Sequence, residues 1–253
     1  MADFTDRELM VIAAGREIHD GDLVFVGMRL PLVAFAFAKR THAPGAVGLF
    51  ENGIVRDQPA SEALMTMSDT PNIPGALWST GTLEIMSMLQ QGLVDLGFIG
   101  GAEIDKYGNL NTNYIGDWSH PKVRLPGSGG GADIASLAKR FVVIMPQEKH
   151  RFRERVDFIT SPGFGDGAGW RRRVGLPGGG PVAVITTLGV YRFDEASCEM
   201  MLASYHPGQS AETVRAATGW DLRTAPDCRE TPTPSSQELA IVRACDPAGF
   251  WTR

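Results

Sequence analysis

The chain has 253 residues, 43% of them hydrophobic and 21% charged, with a formal net charge of −5, a balance that fits a folded globular protein and excludes a disordered or fibrous one. The negative balance supplies no diffuse attraction to nucleic acid or anionic membranes, so small molecules or other proteins are the expected partners. No apolar run approaches the ~20 residues of a membrane span, and Met1-Ala2-Asp3-Phe4-Thr5-Asp6 is acidic where a secretion signal would be basic and then apolar, which predicts a cytoplasmic protein.

Thr5 and Glu8 form a capping-box signature, and Leu9, Ile12 and Ala13 recur at helical spacing, which predicts an opening helix running up to Asp20-Gly21. Residues 23–27 read as a short buried strand, and Pro31 suits the first turn of a helix over 32–41. A second buried strand follows at 46–50. The alternation continues with a helix near 83–91, strands near 96–99, 141–145 and 182–187, and helices near 211–218 and 236–244. Strands that alternate with helices predict an α/β fold, an open and largely parallel sheet with helices on both faces, in a single domain over 1–253. In such sheets ligands gather beyond the carboxyl ends of the strands, and Glu51 directly follows one.

Cys198, Cys228 and Cys245 lie far apart with no Cys-x-x-Cys or paired histidines, so they read as structural thiols and no metal is expected. Of the 30 glycines, clusters stand at 127–131 and 163–180, where the backbone must turn tightly or approach something closely. Gly127-Ser128-Gly129-Gly130-Gly131-Ala132 fits a dinucleotide-binding pattern formally, but Arg124-Leu125-Pro126 before it is no strand. Two readings remain: a tight turn admitting a helix over 132–139, or backbone N–H groups presented to an anion or a developing oxyanion. The segment 161–181 is long for a connection and reads as an ordered functional loop or lid, and Arg171-Arg172-Arg173 within it as a solvated face or, less often, a phosphate clamp. The apolar helix around Leu83-Glu84-Ile85-Met86 reads as core. The five histidines have no visible nucleophile to activate. Glu51-Asn52-Gly53-Ile54, flanked by Leu49, Phe50 and Val55, is a strong hairpin signal, so by spacing alone Glu51 is a turn residue or a catalytic carboxylate.

Several segments stand in order along the chain: Val26-Gly27, Leu30-Pro31-Leu32, Ala38-Lys39-Arg40 and Glu51-x-Gly53. The longest runs from Phe98-Ile99-Gly100-Gly101-Ala102-Glu103 through Asp105-Lys106-Tyr107-Gly108-Asn109-Leu110-Asn111, and Gly127-Ser128-Gly129-Gly130, Glu148-Lys149, Ser161-Pro162-Gly163 and Gly175-Leu176-Pro177-Gly178 follow. Together they resemble the β subunits of class I coenzyme A transferases, the glutaconate coenzyme A transferase branch most of all.

The resemblance implies that Glu51 carries the acyl group through a glutamyl-coenzyme A thioester, with Gly129, Gly130 and Gly131, and less strongly Asn111, as oxyanion or coenzyme A contacts. For Asn111 the other reading is an asparagine tying down its own loop. It also implies coenzyme A as a substrate with no permanently bound cofactor, and a homologous α subunit as partner in a hetero-oligomer. Leu49-Phe50 before the glutamate are apolar where transferases for short monocarboxylic or 3-oxo acids carry a polar pair, which favours a dicarboxylic or bulky acid. Relatives on this scaffold that lost the glutamate act as acyl-coenzyme A decarboxylases or ring-opening hydrolases, and related folds serve as non-catalytic ligand-binding subunits.

Overall fold

The structure is a computed structural model, and it describes residues 4–253; Met1, Ala2 and Asp3, half of the acidic N-terminal segment, lie outside the described residues. The chain forms two compact units, one of residues up to Phe98 together with Thr233–Arg253, the other of Ile99–Pro232.

The first unit opens with α1 (Asp6–Gly15), whose N-terminus carries the expected capping box: the Thr5 hydroxyl accepts from the Glu8 N–H, and the Glu8 carboxylate accepts from the Thr5 N–H. The helix stops at Gly15, short of the expected Asp20-Gly21; the Phe37 ring packs where a Cβ at Gly15 would stand, 2.5 Å from Cδ1, so the position takes glycine. Next come β1 (Leu23–Phe25), α2 (Leu30–Lys39) with Pro31 in its first turn, and β2 (Val47–Phe50). The chain then doubles back as β3 (Ile54–Arg56) and, after a long connection, adds β4 (Trp78–Ser79), α3 (Thr82–Gln90) and β5 (Leu96–Ile99). β1 is parallel to both β2 and β5, while β3 and β4 add antiparallel to the edge, giving the order β5-β1-β2-β3-β4. Fully buried Ile12, Val24, Phe25, Phe37, Leu49 and Leu96 form its core. In α3 only Ile85 and Leu89 are buried; Leu83, read as core, is 75% exposed because it lies off the stripe that those two residues define at i and i+4.

The second unit begins with short strands β6 (Glu103–Asp105), β7 (Leu110–Asn111), β8 (Tyr114–Gly116) and β9 (Pro121–Arg124), then α4 (Gly131–Leu137), β10 (Arg140–Ile144) and β11 (Phe152–Arg153). After α5 (Trp170–Arg173) come β12 (Pro181–Ile185), β13 (Gly189–Phe193), β14 (Met200–Tyr205), α6 (Ala211–Ala216) and β15 (Arg223–Glu230). β10 pairs parallel with β12 and β14 with β15, whereas β12, β13 and β14 form an antiparallel meander. The chain returns to the first unit as α7 (Ser236–Cys245), started by a second capping box between Ser235 and Glu238. The α/β fold expected from the alternation, with a largely parallel central sheet flanked by helices, is the one found. Of its antiparallel additions, the β2–β3 hairpin was signalled by Asn52-Gly53, whereas β4, β13 and β14 escaped the sequence reading because their apolar residues are not set off by helices. Among the described residues no helix is long and apolar enough to cross a membrane.

Arg171 explains why the glycine-rich stretch after Ser161 is ordered. It is 7% exposed, and its guanidinium donates to carbonyls of three segments: Ala135 (2.8 Å) and Ser136 (3.3 Å) at the end of α4, Pro162 (3.1 Å) and Gly163 (2.9 Å), and Gly178 (2.8 Å). It is neither a solvated residue nor a phosphate clamp. Burial lowers its pKa to about 10, which still leaves it charged at neutral pH. Truncation would leave five carbonyls without this donor, so Arg171→Met should destabilise the protein by about 3–5 kcal/mol in urea unfolding.

Asn109 pins the same stretch from the other side: its side-chain oxygen accepts from the N–H groups of Gly163 and Gly165, and its amide donates to Asp105. Burial pushes the Asp105 carboxyl up from 3.8 to about 6, despite hydrogen bonds from Asn109 and Tyr107 that favour the charged form. The folded state thus keeps a proton that the unfolded chain has released, so this group's contribution is full below pH ~4 and is lost as pH rises to about 6. At about 1.4 kcal/mol per pH unit the loss reaches roughly 3 kcal/mol. Asp105→Asn should remove it, so that the stability difference, original minus variant, falls by that order between pH 4 and 7 in urea titrations.

Candidate active site

Glu51 sits in the first unit on the turn between β2 and β3. The two strands pair as Gly48↔Arg56, Leu49↔Val55 and Phe50↔Ile54, leaving Glu51, Asn52 and Gly53 as the loop. The hairpin signal and the catalytic reading of Glu51 therefore do not compete: the turn is what carries the glutamate. Gly53 closes it, its N–H donating to Phe50 O (2.9 Å) at φ 106°. Thr80, beyond β4, donates its N–H to Gly53 O (2.9 Å), and a Cβ on Gly53 would lie 2.1 Å from Thr80 O. Only glycine meets both demands.

Beside this hairpin, β1 runs parallel to β2 in the register Phe25↔Leu49, and Val26 N–H donates to Leu49 O (2.9 Å). Glu51 thus lies just past the carboxyl end of β2, where open parallel sheets place their ligands. It is half-buried, and among the described residues nothing forms a hydrogen bond or ion pair with its carboxylate.

The neighbouring asparagine is anchored. Asn52 donates from its amide to Met67 O (2.9 Å), which also accepts from the Asn72 amide (2.7 Å), so the glutamate turn is tied to the connection between β3 and β4. That connection is held by buried Arg56, whose guanidinium donates to the carbonyls of Gln58, Pro59, Asn72 and Pro74. The side-chain oxygens of Asn52 and Asn72 are buried and accept no hydrogen bond. The sequence reading gave Asn72 and Arg56 no role, since nothing in their spacing shows that they converge on one turn. Behind Phe50 a cavity of about 450 Å³ opens among α2, residues 59–65 and residues 244–251.

Gly129, Gly130, Gly131 and Asn111 belong to the second unit. Gly127 (φ 100°) and Gly129 (φ 49°) turn the chain into α4, and Gly127 N–H donates to Thr112 O (2.8 Å), which sets the glycine loop beside Asn111. Gly131 N–H is taken by Ser128 O (2.9 Å), whereas the Gly129 and Gly130 N–H groups have no backbone partner among the described residues; Gly129 is exposed and Gly130 buried. Asn111 is fully buried; its amide donates to Glu103 Oε2 (2.7 Å) and Tyr114 O (2.6 Å), and its oxygen accepts from Asn113 N–H (3.0 Å). With both amide hydrogens committed, it fastens its own loop and has none left for an oxyanion. Among the described residues no group of three or more His, Cys, Asp or Glu is placed to hold a metal ion.

A family model for coenzyme A transferase matches residues 7–217. The chain belongs to the coenzyme A transferase family. The transferase is 39% identical over 247 residues to the B subunit of the 3-oxoadipate CoA-transferase of Pseudomonas knackmussii, covering 97% of this chain and 95% of that one. It is 38% identical over 257 residues to the B subunit of the glutaconate CoA-transferase of Acidaminococcus fermentans, covering 98% and 96%. The crystal structure of glutaconate coenzyme A-transferase from Acidaminococcus fermentans superposes with a TM-score of 0.93 over 100% of this chain and 98% of that one, at 34% identity. The resemblance to the glutaconate branch read from the sequence is thereby established, and with it coenzyme A as a substrate.

Because the glutamate turn leans on Thr80, Gly53→Ala should destabilise the transferase by about 3 kcal/mol, which urea unfolding would measure.

Proposed function

We propose that the transferase moves coenzyme A from an acyl-coenzyme A to a dicarboxylic acid, working with a homologous α subunit, and that Glu51 is the covalent acyl carrier. The reading is carried by one observation: a half-buried carboxylate that nothing engages, on a braced turn beyond the carboxyl end of a parallel strand. An idle carboxylate beside a turn is usually solvated; one held by Asn52, Gly53 and Thr80 is kept in place for a reaction.

The chemistry needs only this group and shielding from water. The Glu51 carboxylate attacks the thioester carbonyl; the C–S bond breaks, coenzyme A leaves as thiolate and a mixed anhydride remains. The thiolate then attacks the glutamyl carbonyl of the anhydride, forming the glutamyl-coenzyme A thioester and releasing the first acid as its carboxylate. The acceptor acid repeats both steps in reverse order, which returns Glu51 as a carboxylate and leaves the new acyl-coenzyme A. Each tetrahedral intermediate carries an oxyanion, for which backbone N–H groups are the fitting donors.

The dicarboxylic preference is supported by the names of the two relatives at 38% and 39% identity, which act on glutaconate and 3-oxoadipate, and by apolar Leu49-Phe50 before the glutamate. Each of these relatives is itself one subunit of its transferase, which supports the α-subunit partner.

The test is borohydride reduction of the co-expressed complex after incubation with an acyl-coenzyme A, followed by peptide mass spectrometry. A reduced thioester is expected at Glu51 and nowhere else, and Glu51→Gln should slow exchange by more than about 1,000-fold. Consumption of acyl-coenzyme A with Glu51 unmodified would refute the reading and point to lyase or hydrolase chemistry.

A further inference from the structure

Gly27, Met28 and Arg29 lead from the carboxyl end of β1 into α2, and the last of them holds a backbone conformation that its own side chain opposes. Arg29 has φ 71° and ψ −124°, a combination open to glycine and strained for any residue with a Cβ. Among the described residues Cys198 is the one other non-glycine at positive φ. Where a turn needs glycine and the chain carries arginine, the side chain must have a use that offsets the strain.

No use is visible in the packing. Arg29 is exposed, and its one recorded contact is the face of Trp251, 5.6 Å from Cζ to the ring centroid. Trp251 is itself held by a hydrogen bond from Nε1 to Leu64 O (3.1 Å), so it is a fixed platform that steadies the guanidinium. Within the described residues no carboxylate or carbonyl accepts from Arg29. Its neighbours in this unit differ: Arg56 is spent on four carbonyls, and Arg40 donates to Cys245 Sγ at 3.0 Å.

The location supplies the use. β1 and β2 are parallel and in register at Phe25↔Leu49, so the residues that follow them emerge along one edge of the sheet, Arg29 after β1 and Glu51 after β2. A planar guanidinium with free donors is the side chain best matched to a carboxylate, which it binds through two parallel hydrogen bonds. We infer that Arg29 selects the acid: its guanidinium receives the distal carboxylate of a dicarboxylic acid whose other carboxyl group reacts at Glu51. This rests on the reading of Glu51 as acyl carrier, and it assigns a substrate contact to a residue that plays no part in the covalent steps.

The experiment compares glutarate with pentanoate, acids of equal chain length, as acceptors from one acyl-coenzyme A donor, using the complex with its α subunit. The unaltered complex should prefer glutarate. Arg29→Gly should lower the ratio of kcat/KM for glutarate to that for pentanoate about 10- to 100-fold, the range for loss of a charge-assisted pair, with no drop in melting temperature because the strained residue is gone. Arg29→Lys should restore part of the ratio. A ratio unmoved by Arg29→Gly, or an unaltered complex that prefers pentanoate, overturns the inference. Trapping with borohydride separates the two failures: a thioester at Glu51 together with an unmoved ratio sinks this inference alone, whereas no thioester in the unaltered complex sinks the Glu51 reading and this one with it.

Discussion

One hydrogen bond, from Thr80 N–H to Gly53 O at 2.9 Å, locks the glutamate turn between β3 and the strand that follows it. The turn has three loop residues and needs a left-handed glycine at its end, and by itself such a loop could rock about the ends of β2 and β3. Thr80 removes that freedom from one side and Asn52, through Met67 O, from the other. Glu51, the carboxylate proposed to react, is thus placed by backbone contacts, while its own side chain stays uncommitted. This division suits a nucleophile, because any strong partner of the carboxylate would have to be broken before attack.

Buried cations brace the rest of the framework. Lys39 donates to Pro44 O and Ala46 O, Arg56 to four carbonyls of the β3–β4 connection, and Arg171 to carbonyls of three segments in the second unit. All three are under 8% exposed, and burial lowers the pKa of each. Each isolated charge costs several kcal/mol to desolvate. Carbonyl oxygens that would otherwise be buried unpaired offset part of that cost, since each such orphan costs about 1–3 kcal/mol. Long connections without regular structure need such devices, because their backbone groups have no ladder to join.

One strained residue lies near the same edge. A non-glycine residue in a glycine conformation costs about 1–3 kcal/mol, and Arg29 bears that cost one strand away from Glu51. The buried, unpaired oxygens of Asn52 and Asn72 are a second local imperfection beside the turn.

The alternation of apolar runs with helical periods and one capping signature was enough to determine the α/β class, the capping box of α1, and the strands that became β1, β2, β5, β10 and β12, because period and capping are local properties. It also put Glu51 at a strand end and on a hairpin, and the many ordered family motifs gave the expectation, proposed above, that it carries the acyl group. What only the tertiary structure decided depends on residues far apart in sequence. Arg171 looked like one of three surface charges and proved to be buried among carbonyls of Ala135, Pro162 and Gly178, while Arg173 stayed exposed beside Asp166. Asn111 could be read as a donor or as a fastener until its bonds to Glu103 and Tyr114 were seen. Arg29 carried no signal at all, since neither composition nor spacing reports φ. Its strain and its place beside the strand of Glu51 come into being only when β1 and β2 pair.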